Sequence, residues 1–260
     1  METAARATPT AASTGMDVVV RVRGLKKAFG SNEVLRGFDL DVHRGENVMV
    51  LGKSGSGKSV LIKCIIGLMR PDAGTIEVLG RDLLALNDRE LDDLRVRIGF
   101  LFQSNALYDS MTVRENLEFP MRRHWAELTT AEREERVVKA LDDVGLANTL
   151  DLMPSELSGG MRKRVGLART LVMRPEVVLY DEPTTGLDPI TGREIVELIL
   201  ELQRAYGTSS ILISHDLNVA KLAANRVVVL HEGRAHAEGS YDELLRSTDP
   251  VVERFFGSMS

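Results

Sequence analysis

Gly52-Lys53-Ser54-Gly55-Ser56-Gly57-Lys58-Ser59 follows the apolar run Asn47-Val48-Met49-Val50-Leu51. The run reads as a buried strand, and Leu61, Ile65 and Leu68 beyond the loop recur at helical spacing. Strand, glycine-rich turn and helix in this order make a phosphate-binding loop, or P-loop. The glycines permit a tight turn whose backbone N–H groups surround phosphate oxygens. The loop also opens a helix, so the positive end of the helix faces the same anion. Lys58 is placed to reach the β- and γ-phosphates of a nucleotide, and the Ser59 hydroxyl to hold Mg²⁺.

The chain has 260 residues, room for one large domain carrying a subdomain. Apolar residues make up 43% and charged residues 27%, the balance of a globule in water. A formal net charge of −5 argues against a general nucleic-acid binder. Cys64 is the single cysteine, which excludes an intrachain disulfide and suits a reducing compartment. It falls on the apolar side of the P-loop helix and reads as a core residue. No segment reaches the roughly twenty apolar residues that cross a bilayer, so a membrane role requires a partner. Residues 1–16, rich in Ala and Thr, read as a flexible tail before one domain over 17–260.

Working outward, Val18 to Val22 is a first strand, Gly24 to Gly30 a loop carrying Phe29, and Phe38 to Val42 an alternating, half-buried antiparallel strand. Residues 71–74 read as a turn before a short strand to Leu79. Ile98 to Phe102 is a second apolar strand, ending at Gln103. Helical patterns then dominate, over 116–123 and 130–144, the latter with a Thr129/Glu132 capping box and a Gly145 stop. This region, about 104–164, is expected to be a helical subdomain inserted between core strands. Apolar strands return at Val177 to Tyr180 and Ser210 to Ile213, a hairpin follows over 227–237, and Ser240 and Glu243 cap a last helix. The fold class is α/β: a mainly parallel sheet core covered by helices, with an antiparallel β edge.

The remaining chemistry sits at strand ends. Asp181-Glu182 closes an apolar strand: Asp181 is suited to Mg²⁺, and Glu182 to orienting and deprotonating an attacking water. Gln103 follows another apolar strand, where its amide can touch both the metal and the water. His215 follows Ile211-Leu212-Ile213-Ser214, where an imidazole can hydrogen-bond a γ-phosphate. Leu157-Ser158-Gly159-Gly160-Met161 opens a helix with exposed backbone N–H groups, a second anion site. Two anion sites separated by a helical insertion meet most simply across a two-fold dimer.

Taken together, these motifs resemble the nucleotide-binding subunit of an ABC transporter over nearly the whole chain. The resemblance casts Gly52 to Ser59 as Walker A, Gln103 as the Q-loop, Leu157 to Met161 as the signature, Val177 to Asp181 as Walker B, Gly186-Leu187-Asp188 as the D-loop and His215 as the switch histidine. It implies that Phe29 stacks on adenine, although many members carry Tyr there, and that Lys53 replaces a common Pro. It further implies that ATP and Mg²⁺ are held by Phe29, Gly52, Lys53, Ser54, Gly55, Ser56, Gly57, Lys58, Ser59 and Val60. It also implies that Asp188 contributes to nucleotide binding, that Ser158, Gly159 and Gly160 act from the facing subunit, and that Glu182, His215 and Gln103 serve hydrolysis.

Narrower stretches are similar to the ATPases of Mce/Mla-type lipid transport systems: Phe102 to Val113, Gly57 to Lys63, Ser158 to Arg164 and Asp249 to Phe256. That resemblance implies a homodimer on the cytoplasmic face of the inner membrane. It implies a separate permease docked near Gln103–Met111, an Mce-domain lipid-binding protein in the complex, and phospholipid or another lipid as cargo. The alternative is the same ATPase serving an amino-acid, metal or drug transporter. Leu107, Tyr108 and Met111 are candidate permease contacts or subdomain core, and Trp125 reads as local packing. An ABC-type ATPase of DNA repair is disfavoured, because the chain has neither a long coiled coil nor two nucleotide modules.

Overall fold

The computed structural model describes residues 17–257 except 126. The expected flexible tail, 1–16, lies outside the described residues. Two sheets organise the molecule. In the first, β1 (Val18–Phe29), β2 (Asn32–His43), β4 (Ala73–Val78) and β5 (Arg81–Asp82) pair antiparallel in the order β2-β1-β4-β5. The second has the order β10-β9-β3-β8-β7-β6. It comprises β3 (Asn47–Leu51), β6 (Ile98–Leu101), β7 (Val177–Asp181), β8 (Ser209–Ser214), β9 (Arg226–His231) and β10 (Arg234–Gly239). All its pairs are parallel except the β9–β10 hairpin.

The parallel strands are buried on both faces, as continuous apolar runs require. Side-chain alternation divides them between two cores. Val48, Val50, Leu179, Ile211 and Ile213 join the antiparallel sheet and the P-loop helix α1 (Lys58–Ile65). Met49, Leu51, Val178, Tyr180 and Leu212 join the helices on the other side. Those are α3 (Val113–His124), α4 (Thr130–Asp143), α5 (Gly159–Leu171) and α6 (Pro189–Tyr206). Further helices are α2 (Asp88–Val96), α7 (Leu217–Ala223), α8 (Tyr241–Leu245) and α9 (Pro250–Phe256). Among the described residues, no helix is long and apolar enough to cross a membrane.

The helical insertion is present, and the Thr129/Glu132 capping box forms as expected. α3 starts at Val113, earlier than the pattern suggested, because Thr112 and Glu115 make their own capping box. The boundary placed at 164 falls inside α5, which runs unbroken to Leu171. Three local expectations are corrected. Residues 24–29 are strand, not loop: β1 absorbs Gly24, at φ +57°, through register shifts and stays paired with β2. Ala73 and Gly74 belong to β4, and a Cβ on Gly74 would lie 2.6 Å from the Arg23 carbonyl. The helix capped by Ser240 is not the last, because Asp249 caps α9 with Pro250 in its first turn.

Cys64 is fully buried, and burial pushes its thiol up to about 11, in keeping with a core role. Trp125 packs locally at the end of α3, with the Arg136 guanidinium 4.9 Å from its ring centroid.

Candidate nucleotide site

Strand order brings the P-loop, Asp181-Glu182, His215 and Gln103 to one edge. Leu51 pairs with Ser214, Asp181 with Ile213, and Leu101 with Tyr180. The segments that follow β3, β8, β7 and β6 therefore emerge side by side at the carboxyl ends of adjacent parallel strands, where open α/β sheets bind ligands.

Two glycines of the loop are required for different reasons. A Cβ on Gly52 would sit 2.5 Å from Ser56 Oγ and 3.1 Å from the Leu230 carbonyl. Gly57 holds φ +104°, and a Cβ there would meet Val34 Cγ1 at 2.8 Å. Gly57 precedes α1, whose N-terminus has neither a side-chain cap nor an acidic residue in its first turn. Its first N–H groups thus remain available to an anion. Ser56 Oγ is buried without a hydrogen-bond partner, a further polar group turned to the loop interior. Lys53, Ser54, Gly55 and Ser59 are exposed on the loop, and Val60 is half-buried.

Lys58 is almost fully buried. Its Nζ donates to the carbonyls of Gly52 at 2.7 Å and Lys53 at 3.1 Å, and stands 3.6 Å from Glu182 Oε1. The Ser59 hydroxyl donates to Asp181 Oδ1 at 3.3 Å. Burial raises the Asp181 carboxyl above its usual range, the Ser59 bond opposing it. Glu182, 9% exposed, holds φ +49°, an uncommon conformation for a side-chain-bearing residue. Ser214 Oγ donates to its Oε2 at 3.1 Å. His215 Nδ1 lies 3.0 Å from Oε2 and 3.1 Å from Oε1. Nδ1 faces the carboxylate, and the ring is otherwise exposed.

Phe29 ends β1 at the hairpin tip, half exposed, with Lys27 Nζ 5.6 Å from its ring centroid. Val34, on the next strand of that hairpin, touches the P-loop at Gly57. The Gln103 side chain is exposed beyond β6. Ser158 caps α5 by accepting from Met161 N–H at 3.2 Å. Gly159 and Gly160 lie against α6 and the turn before it, where a Cβ on Gly160 would be 2.9 Å from Thr191 Cγ2. Among the described residues, no hydrogen bond joins 158–160 to the P-loop of the same chain. Asp188 caps α6: its carboxylate accepts from Ile190 N–H, Thr191 N–H and the Thr191 hydroxyl, and the hydroxyl bond leads the causes that hold it below the usual range.

Two groups escaped the sequence reading. Ser214 pins Glu182, and only its place at the end of an apolar strand hints at this. Lys163, within the basic run Arg162-Lys163-Arg164, is 2% exposed, and its Nζ donates to the Gln103 carbonyl at 3.0 Å. Nothing in a basic run distinguishes the residue that turns inward.

A groove of about 470 Å³ lies beside this edge, lined by Phe100, Phe102, Ala106, Tyr108, Phe119 and Arg169 among others. Tyr108 lines it and is exposed. Leu107 and Met111 do not, and Leu107 packs against the helical core.

The ABC transporter family profile matches residues 35–185. The chain is 38% identical over 240 residues to the probable ribonucleotide transport ATP-binding protein mkl of Mycobacterium leprae, covering 92% of this chain and 69% of that protein. It is 42% identical over 221 residues to the methionine import ATP-binding protein MetN of Rhizobium etli, covering 85% and 61%. It is 38% identical over 256 residues to the chloroplastic protein trigalactosyldiacylglycerol 3 of Arabidopsis thaliana, covering 92% and 73%. The dimeric post-hydrolysis state of the ATP-binding cassette MJ0796, bound to ADP and Pi, superposes with a TM-score of 0.77 at 31% identity, over 85% of this chain and 98% of that one. With the P-loop, the buried Asp181-Glu182 pair and His215 on one sheet edge, this chain belongs to the ABC transporter family as an ATP-binding subunit, an ATPase that works on ATP with Mg²⁺.

Proposed function

We propose that two copies of this chain enclose two ATP molecules and drive a separate lipid permease at the inner face of the plasma membrane. The observation that carries the ATPase roles is that Lys58 and His215 both reach Glu182 while Ser59 reaches the adjacent Asp181. Gly52 to Val60 cradle the phosphates, Phe29 offers an aromatic face to the base, and Ser59, Asp181 and Gln103 hold Mg²⁺. One carboxylate with neutral oxygen donors suits an ion that keeps phosphate and water ligands. Bound there, Mg²⁺ neutralises charge developing on the transferred phosphate.

Glu182 accepts the proton of the attacking water, and His215 reaches the γ-phosphate. Ser158, Gly159 and Gly160 supply N–H groups to the nucleotide held by the other copy, with Asp188 fixing the start of α6 beside them. One fact favours the cross-dimer arrangement: among the described residues, the 158–160 turn makes no hydrogen bond to its own P-loop. Closure around ATP then moves the permease.

The lipid reading rests on residues 102–113 and on the apolar groove at Tyr108, which would receive the permease. A relative named for a galactolipid supports it. The likeness to a methionine importer favours a second reading, an amino-acid transporter. Affinity purification from membranes in mild detergent, with mass spectrometry of proteins and lipids, separates them. A multi-span permease, an Mce-domain protein and co-purified phospholipid support the first. A permease with a solute-binding protein and no lipid supports the second.

A further inference from the structure

Beyond Gln103 the backbone is held in an unusual form. Asn105 and Ala106 are consecutive residues with side chains in the left-handed region, at φ +63° and +48°. Such geometry persists only where the surroundings over-determine it. Asn105 adds a second cost, since its Oδ1 is buried without a hydrogen-bond partner.

The surroundings are one face of α5. Lys163 Nζ donates to the Gln103 carbonyl at 3.0 Å. Arg169 donates through Nη2 to Asn105 and through Nη1 to Ala106, both carbonyls at 2.8 Å. Between them Gly166 allows close approach, because a Cβ there would lie 3.0 Å from Leu101 Cδ1 and 3.4 Å from Asn105 Cβ. Positions 163, 166 and 169 follow helical spacing, so one stripe of α5 grips three carbonyls of a strained segment. Lys163 is withdrawn from water and Arg169 is half-buried, and a buried ammonium that loses its acceptor is costly. Arg169, with two donors in a fixed fork, suits two neighbouring carbonyls better than any lysine.

We infer that Lys163 and Arg169 are positioning residues: they fix the main chain of Gln103–Ala106 to α5 and thereby hold the Gln103 amide at the metal and water. The inference rests on the reading of Gln103 as a metal and water ligand. Its consequence is mechanical. α5 begins at Ser158, which faces the partner's nucleotide in the proposed dimer, and its middle holds Gln103 of the chain's own site. Seating α5 against one ATP therefore sets the geometry at the other.

The test uses the full chain with Gln103→Ala, Lys163→Met, Lys163→Arg and Arg169→Lys, and the double variant Gln103→Ala/Lys163→Met. Turnover is measured against Mg²⁺ concentration, and ATP binding is measured in EDTA. Lys163→Met is expected to lower kcat about tenfold and raise the half-saturating Mg²⁺ about fivefold, with metal-free ATP binding changed by less than about twofold. Lys163→Arg, which keeps a charged donor, should recover most of the loss. In the Gln103→Ala background the Lys163 change should cost less than about twofold more, because it acts through Gln103.

Multiplicative losses in the double variant overturn the inference. So does normal turnover of Lys163→Met beside an impaired Gln103→Ala, an outcome that leaves the Gln103 reading standing. Normal turnover and Mg²⁺ dependence of Gln103→Ala overturn that reading and the inference with it. Should Lys163→Met fail to fold, Arg169→Lys provides the same comparison: a roughly threefold loss that vanishes beside Gln103→Ala supports the grip, and one that persists overturns it.

Discussion

His215 Nδ1 lies 3.0 Å from Oε2 of Glu182, and Ser214 donates to the same oxygen at 3.1 Å. The carboxylate is thus aimed by two residues from the end of β8, while Lys58 approaches its other oxygen from the P-loop. A carboxylate held on three sides has little freedom to swing, and its backbone at φ +49° is tied by the Glu182 N–H bond to the Ile213 carbonyl at 2.9 Å.

Glu182→Gln removes the proposed proton acceptor and keeps the shape. Turnover should fall about 10²- to 10³-fold, with ATP binding retained and an ATP-dependent dimer that persists. Phosphate release and gel filtration with ATP check both halves. Ordinary turnover would remove Glu182 as the base.

Ser158→Arg places a bulky cation at the start of α5, in a turn that, among the described residues, makes no hydrogen bond to its own P-loop. Turnover should be lost while a single chain still binds ATP. A binding assay at low protein concentration reads the distinction, and loss of binding there would argue against a site completed by a second copy.

Gly57→Ala should be worse than Gly55→Ala. Both positions have positive φ, but only at Gly57 does a Cβ strike a neighbour, Val34 Cγ1 at 2.8 Å. Thermal melts should show a loss of about 1–3 kcal/mol at Gly57 and less at Gly55, with ATP affinity falling in the same order.

Asp249 caps α9, accepting from Val251 and Val252 N–H, and pairs with His236. The Val252 backbone bond, then His236, holds its carboxyl below the usual range. A depressed carboxylate contributes stability above its unfolded value, and that contribution is lost as pH falls through the folded value. The melting temperature should therefore drop as pH falls below about 4, and Asp249→Ala should shrink that drop. An unchanged slope in the variant would exclude Asp249 from the acid transition.

Most of the candidate site was legible because its residues stand just beyond apolar strands. Val48 to Leu51, Val177 to Tyr180 and Ile211 to Ile213 announce buried parallel strands by composition, and the P-loop, Asp181-Glu182 and His215 lie at or just past their ends. Lys163 was not legible, because burial of a lysine is decided by a carbonyl 60 positions away in sequence. The continuation of β1 past Gly24 was hidden for a related reason: pairing with β2 outweighed the turn preference of one glycine. α9 was missed although Asp249-Pro250 is a strong helix start, since its seven residues show too little periodicity to read.

Met49 and Val50 are neighbours on β3, yet each belongs to a different core. The strand that carries the P-loop is therefore a party wall. It cannot slide toward the antiparallel sheet without opening the packing under the helices, nor the reverse, because close-packed interiors on both sides resist it. Whatever motion follows ATP must leave this wall standing and displace what leans on it: the helices α3 to α5 on one flank, or the β1–β2 hairpin on the other.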